Sequence, residues 1–228
     1  MGDGREIFEF VLKRREILAG FSTKWAGNLG LHVGDEPKNV AQNRQNLCEF
    51  LGLKELKFMT QTHSDIVKIL RHKDDELGEC DAVITALRGV GICVMVADCS
   101  PVLLCDLVSG VVACIHAGRA GVVSKIVTKT IALMQAKFGT KPSDITAFIG
   151  VNIKGSCYEI GQLDLGEFNK YKNRQNFDMN LALKDEFNAL GVTNLHFDER
   201  CSCCDENFFS YRKERNTGRF AGVVALRG

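Results

Sequence analysis

Cys99 and His116 are a thiol and an imidazole at positions that a simple fold would bring together. Ala97-Asp98-Cys99-Ser100-Pro101 leads into the apolar run Val102–Cys105, and Val111–Ala113 leads into Cys114-Ile115-His116-Ala117-Gly118. Two apolar runs about a short polar turn containing Ser109-Gly110 predict an antiparallel hairpin. A turn centred between Leu107 and Val108 sets Cys99 opposite His116. Centred one residue later, it moves the partner by two positions, about 6–7 Å along the strand. A thiol beside an imidazole is either part of a metal site or a nucleophile with its base. His63, in the polar turn Gln61-Thr62-His63-Ser64-Asp65, offers a second imidazole. Two imidazoles and one thiolate suit one Zn²⁺ with its fourth position open to water. The plain alternative is a turn histidine, a buried cysteine and a strand-end histidine with no common site.

The other reactive types are more scattered. His72 lies in the charged loop Arg71–Glu79 and reads as solvated, and His196 alternates with apolar neighbours and reads as half-core. Cys201-Ser202-Cys203-Cys204 clusters three thiols, one ligand short of a closed zinc site, and reads as a structural loop. Arg44, Arg212, Arg215 and Arg219 have the fork geometry that suits a phosphate or carboxylate.

The elements that must position these residues can be read from periodicity. Strands are expected at Ile7–Leu12, Ile17–Thr23, Lys57–Met59, Ile66–Leu70, Asp81–Thr85, Gly91–Ala97, Ile145–Ile149 and Leu195–Phe197, with Phe208–Tyr211 and Phe220–Leu226 as a closing pair. Gly91–Ala97 is almost wholly apolar, as expected of a central strand. Val40–Leu51, introduced by Pro37 and stopped by Gly52, predicts a helix. Ala120–Phe138 predicts the longest one, and Leu163–Tyr171 and Asn180–Leu190 shorter ones. Strands and helices mix without strict βαβ alternation, which predicts an α+β fold, a mixed sheet flanked by helices in a single domain over residues 1–228.

Composition excludes several classes. The chain has 228 residues, a net charge of +1 and ten cysteines. Near-neutral charge gives no nucleic-acid or membrane surface, and no apolar run has the length of a membrane span. Met1–Arg15 is charged and lacks an export signal. Most cysteines sit in apolar runs, so a reducing cytoplasm with free thiols is expected.

Six segments, in this order, carry a resemblance. They are Asn28-Leu29-Gly30-Leu31-His32-Val33-Gly34-Asp35, Asn43-Arg44, Gln61-Thr62-His63, Ala97-Asp98-Cys99-Ser100-Pro101-Val102-Leu103, His116-Ala117-Gly118, and Phe208-Phe209-Ser210-Tyr211-Arg212 with Thr217-Gly218-Arg219. The ordered set closely resembles the YfiH family, also called laccase-domain or polyphenol-oxidase-like proteins, from about residue 20 to the C-terminus. The resemblance implies the YfiH-like α+β fold, shared distantly with a cysteine-hydrolase superfamily. It implies one Zn²⁺ on His63, Cys99 and His116. It also implies phosphorolysis of adenosine, inosine, guanosine and methylthioadenosine with phosphate, and deamination of adenosine. Arg44, Gln61, Asp98 and Arg212 are the candidate substrate-binding residues, and Glu159 and His32 candidate proton carriers.

Two departures stand out. The family continues His-Ala-Gly with Trp-Arg-Gly, where this chain has Arg119-Ala120-Gly121, and Val151-Asn152 stands where a proline is usual. Copper is disfavoured, because multicopper chemistry needs many histidines and this chain has five, with no His-x-His pair. Two other readings stand beside the zinc enzyme. One is a cysteine hydrolase or amidase using Cys99 and His116, for which peptidoglycan-precursor editing in some bacterial relatives is an example. The other is a metal-binding module without turnover.

Overall fold

Alternation along the inner strands sets the architecture. In Val111–Ala117 every residue is buried, but Val111, Ala113 and Ile115 pack into one core while Val112 and Cys114 pack into another. A strand that is apolar on both faces must lie between two layers. The computed structural model describes residues 6–228; the first five residues of the charged N-terminal stretch lie outside the described residues.

In chain order the strands are β1 (Phe8–Lys13), β2 (Ile17–Ser22), β3 (Glu55–Phe58), β4 (Val67–Leu70), β5 (Ala82–Thr85), β6 (Val90–Val96), β7 (Ser100–Asp106), β8 (Val111–Ala117), β9 (Ile145–Ile149), β10 (Lys172–Asn173), β11 (Asn176–Phe177), β12 (Asn194–Phe197) and β13 (Phe220–Leu226). The helices are α1 (Pro37–Leu51), α2 (Arg119–Val123), α3 (Ile126–Phe138) and α4 (Met179–Ala189). A five-stranded sheet runs β1-β2-β13-β6-β3 and a six-stranded sheet runs β12-β9-β7-β8-β5-β4. Both are mixed: β3 with β6, β4 with β5 and β12 with β9 are parallel, and the other pairs within these sheets are antiparallel.

Three cores hold four layers together. Ile92, Val94 and Val224 of the five-stranded sheet meet Leu103, Val112 and Cys114 of the other. The outer face of the six-stranded sheet, with Ile84, Leu104 and Ile115, is covered by Val127 and Ile131 of α3 and Leu183 and Phe187 of α4. The outer face of the five-stranded sheet, with Leu18, Met95 and Val223, is covered by Leu47 and Leu51 of α1. This is the α+β arrangement with mixed sheets and flanking helices that the sequence predicts. No helix among the described residues is long and apolar enough to cross a membrane.

The chain passes between the two sheets twice near the candidate residues. The segment from β3 to β4 carries His63, and the three residues between β6 and β7 are Ala97-Asp98-Cys99. Asp98 makes that second passage at φ +95° and His63 turns at φ +58°. Both are unusual for residues with a Cβ.

Several expected boundaries move. The single long helix over Ala120–Phe138 is two helices, broken where Lys125 turns left-handed at φ +59°, and α1 is the longest helix, with 15 residues. Val122, Ile126 and Val127 keep a helical period across the break, so periodicity cannot reveal it. Residues 163–171 hold only a 3₁₀ turn, Gly166–Tyr171. Phe208–Tyr211 forms no strand; Phe220–Leu226 pairs instead with β2 and β6. In the hairpin, Pro101 faces His116 and Ser100 faces Ala117, which is the later of the two turn centres.

Candidate metal centre

Asp81 organises the site. It stands just before β5, fully buried, and a buried carboxylate must be hydrogen-bonded. Its Oδ1 accepts from His116 Nδ1 at 2.7 Å and from the backbone N–H of His63 at 3.1 Å. Its Oδ2 accepts from the backbone N–H and hydroxyl of Ser64 at 2.7 and 2.6 Å, and from the Thr62 N–H at 3.2 Å. One carboxylate therefore folds the Thr62-His63-Ser64 turn, with its left-handed His63, and fixes the ring of His116. Burial by itself would raise the Asp81 carboxyl; the hydrogen bonds from His116 and Ser64 outweigh it and hold it well below the usual carboxylate range.

His116 comes from the end of β8 and is buried. With Nδ1 committed to Asp81, Nε2 is the nitrogen left to bind, the arrangement found behind metal-ligating histidines. The His63 and His116 rings meet edge to face with centroids 4.7 Å apart, and Cys99 Sγ lies 3.8 Å from His63 Nε2. One ligand atom from each of His63, Cys99 and His116 lies within 4.8 Å of the others. The structure thus brings together the three residues singled out from the sequence. The donor set, two imidazoles and one thiolate with a carboxylate behind one imidazole, fits a single Zn²⁺ with an open side. A Cβ placed on Gly118 would sit 3.0 Å from Cys99 Sγ and 3.1 Å from His63 Cδ2, so the glycine leaves that side unfilled.

The charges reinforce one another. Burial raises the Cys99 thiol, but the charge of His116 and hydrogen bonds with His116 and His63 pull it down to about 6. Burial lowers His116, but the charge of Cys99 and the bond to Asp81 lift it to about 9. Metal-free, the pair is a thiolate facing an imidazolium.

A cavity of about 680 Å³ opens over the three donors. Arg119, Arg212, Arg215 and Arg219 line it, together with His32, Gln61, Tyr158 and Glu159. Arg119 heads α2, so the departure at Arg119-Ala120 still presents a guanidinium to the cavity. His32 is pushed down by burial, then by Arg219 and Arg44, which leaves its imidazole neutral near pH 7.

The other sequence-predicted residues fall around this cavity in different ways. Gln61 lines it, but its amide exchanges two 2.7 Å bonds with the Met95 backbone. Asp98 has both oxygens engaged, by the hydroxyls of Ser202 and Ser210 at 2.7 Å and by the Arg212 N–H at 2.6 Å. It holds the passage from β6 to β7 in its strained turn. Arg212 donates to the Glu159 carbonyl at 2.7 Å. Arg44 does not line the cavity; it donates to the Leu29 carbonyl and stacks on Phe58, 3.9 Å from the ring centroid. His72 is exposed as expected; His196, expected half in the core, is exposed on β12 and stacks on Phe148 at 5.0 Å. Of the Val151-Asn152 pair that stands where a proline is usual, Asn152 is fully buried and bonds Ser100 Oγ and Asn180. Asp81 and Tyr158 are the residues that sequence reading missed.

A family model described as multi-copper polyphenol oxidoreductase laccase matches residues 14–227. The chain belongs to that laccase-domain family. Within the family, a purine nucleoside phosphorylase of Corynebacterium glutamicum is 41% identical, with 94% of this chain and 96% of the relative covered. One from Streptomyces griseus is 36% identical, over 90% and 93%. The crystal structure of YfiH from Bacillus licheniformis superposes with a TM-score of 0.87 at 25% identity, over 99% of this chain and 98% of that one. The multicopper part of the family's description finds little support in the donors of this member: several coppers need many histidines, and of the five here two converge with one thiol, a set for a single ion.

Proposed function

We propose that this chain is a zinc-dependent purine nucleoside phosphorylase that also deaminates adenosine. The observation that carries the reading is the placement of a one-ion donor set on the floor of a cavity ringed by four arginines. That pairing suits a substrate with a polar reacting centre and a phosphate co-substrate. The names of the C. glutamicum and S. griseus relatives point the same way.

His63, Cys99 and His116 would hold the ion, which when bound supplies Lewis-acid polarisation and acidifies water. Asp81 fixes the His116 ring so that only Nε2 faces the cavity. Arg119, Arg212, Arg215 and Arg219 neutralise and orient phosphate for attack on C1′ of the ribose. The C1′–N9 bond breaks, and the products are the purine base and ribose 1-phosphate. Arg212 takes this role with a backbone fixed by Asp98. Tyr158 and Ile153 offer the purine an apolar wall. His32, neutral near pH 7, carries the proton between solvent and the departing base. Deamination replaces the C6 amino group by the oxygen of water and releases ammonia. Adenosine, inosine, guanosine and methylthioadenosine are the expected substrates.

One incubation tests this. Purified protein with adenosine and phosphate should give adenine, ribose 1-phosphate and inosine, and His63→Ala and Cys99→Ala should give none. Turnover that survives both substitutions would sink the assignment of the site.

A second reading rests on the thiolate–imidazolium pair. A low-lying Cys99 thiol beside His116 is also the pattern of a cysteine hydrolase or amidase. Activity of that kind would survive chelation and be lost on thiol alkylation, whereas the zinc enzyme loses activity on chelation and regains it with added Zn²⁺.

A further inference from the structure

Outside the cavity floor, a second group of sulfurs converges. Cys157 Sγ lies 3.5 Å from Cys204 Sγ, and Cys201 Sγ completes a triangle with no edge longer than 4.8 Å. The triangle is not the Cys201-Ser202-Cys203-Cys204 run that the sequence displays. Cys203 bonds toward Ser210 instead, and Cys157 arrives from a loop 47 residues before Cys204.

We propose that Cys157, Cys201 and Cys204 form a second metal site, for one thiophilic d¹⁰ cation such as Zn²⁺ or Cu⁺, with three thiolate ligands and an outer position open to solvent. The spacing fits: at a Zn–S distance of about 2.3 Å, thiolates around a tetrahedral ion lie about 3.8 Å apart. The backbone is set for it. The Lys154 N–H donates to Cys201 Sγ at 3.4 Å, a bond that stabilises a thiolate. The Cys201 carbonyl accepts from the N–H groups of Cys204 and Asp205 at 3.0 and 2.9 Å, which folds the loop back so that Cys201 and Cys204 share a side. Asn152 pairs with Cys201 across the two segments. The Lys154 ammonium, held by Asn152 Oδ1 and the Asp198 carbonyl at 2.7 and 2.5 Å, adds positive charge beside the sulfurs. Cys204 is exposed, so an ion can enter from solvent. Binding exchanges the three thiol protons for the cation.

The site has a structural consequence. Cys157 adjoins Tyr158 and Glu159 of the cavity wall, and Ser202, between two of the thiols' loop positions, holds Asp98. An ion here clasps the cavity wall to the loop that supports the β6–β7 passage.

The test uses reduced, metal-stripped protein of full length, refilled with Zn²⁺ without oxygen and challenged with a chromophoric chelator. His63→Ala/Cys99→Ala removes the first donor set, so metal retained by that variant reports the thiol cluster alone, whatever the fate of the proposed enzyme activity. It should retain one equivalent against the chelator. Adding Cys157→Ser or Cys204→Ser should abolish it, while adding Cys203→Ser should leave it. Circular dichroism melting checks that each variant folds, and thiolate-to-metal charge-transfer absorption with Cd²⁺ in the His63→Ala/Cys99→Ala protein gives a second readout. Complete stripping by the chelator with no charge-transfer band would overturn the proposal. So would loss of the equivalent in Cys203→Ser to the same extent as in Cys157→Ser, or a Cys157–Cys204 disulfide that, once reduced, leaves a protein unable to take up metal.

Discussion

The His63–Cys99–His116 centre and the Cys157–Cys201–Cys204 cluster draw on similar donor chemistry from opposite kinds of support. In the first, the donors stand at the rim of packed sheets, and a fully buried carboxylate fixes the ring of His116 and the backbone turn that carries His63. In the second, two loops supply the sulfurs and backbone amides supply the order. The first arrangement leaves little to rearrange when a ligand arrives, which is what a reacting centre needs. The second suits an ion that fastens loops together. The first set offers two nitrogens and a sulfur and the second three sulfurs, and the different scaffolds give them different expected uses.

Four measurements can break or sharpen that contrast. The largest effect is expected from Cys99→Ala, which should lower kcat/KM for phosphorolysis by about a thousandfold or more, since several kcal/mol of charge stabilisation depend on the ion. Cys157→Ser should cost far less in the same assay; equal losses would erase the distinction between the two clusters. Next comes Asp81→Asn, which keeps the shape but removes the charge behind His116. A drop of about 10–100-fold in metal affinity at the first centre is expected, measured by competition with a chelator. An unchanged affinity would show that the carboxylate is only a folding device.

A third effect concerns pH. In metal-free protein the Cys99 thiol is held down at about 6 by His116 and His63 despite burial. Its alkylation by iodoacetamide should rise through pH 6 and level off near neutrality, below the range of an ordinary thiol. A midpoint near 9 would contradict the thiolate–imidazolium pair. The smallest effect is expected at the second cluster. Lys154→Met removes a neighbouring cation and should weaken metal uptake there by about fivefold or less, in keeping with a partly exposed charge; isothermal titration would read it.

Much of this was legible before any coordinates, and the exceptions share a cause. β9 matches its expected bounds, and α4 lies one residue from its own, because their apolar periods end at clear turns. Cys99 and His116 could be paired from residue type and hairpin geometry, whereas His63 joined them only by its ligand type and by the family resemblance. Asp81 could not: an acid before an apolar strand looks like a solvent-facing strand end, and only the fold shows it buried. Cys157 was equally silent, since its partners are distant in sequence and the visible CxCC run points to Cys203. Arg44 sits among the motif residues but spends its guanidinium on the Leu29 carbonyl and the Phe58 ring. The break at Lys125 and the missing strand at Phe208–Tyr211 were hidden because tertiary hydrogen bonds, such as Ser210 to Asp98, override local pattern.

His63 and Cys99 both lie where the chain crosses from one sheet to the other, while His116 belongs to the six-stranded sheet alone. A cation gripped by all three would act as a rivet through the sandwich, tying each crossing to the layer beneath it. Loading that centre should therefore raise the melting temperature as metal concentration rises, so that the mechanical integrity of the β-layers and the readiness of the reacting groups become one property.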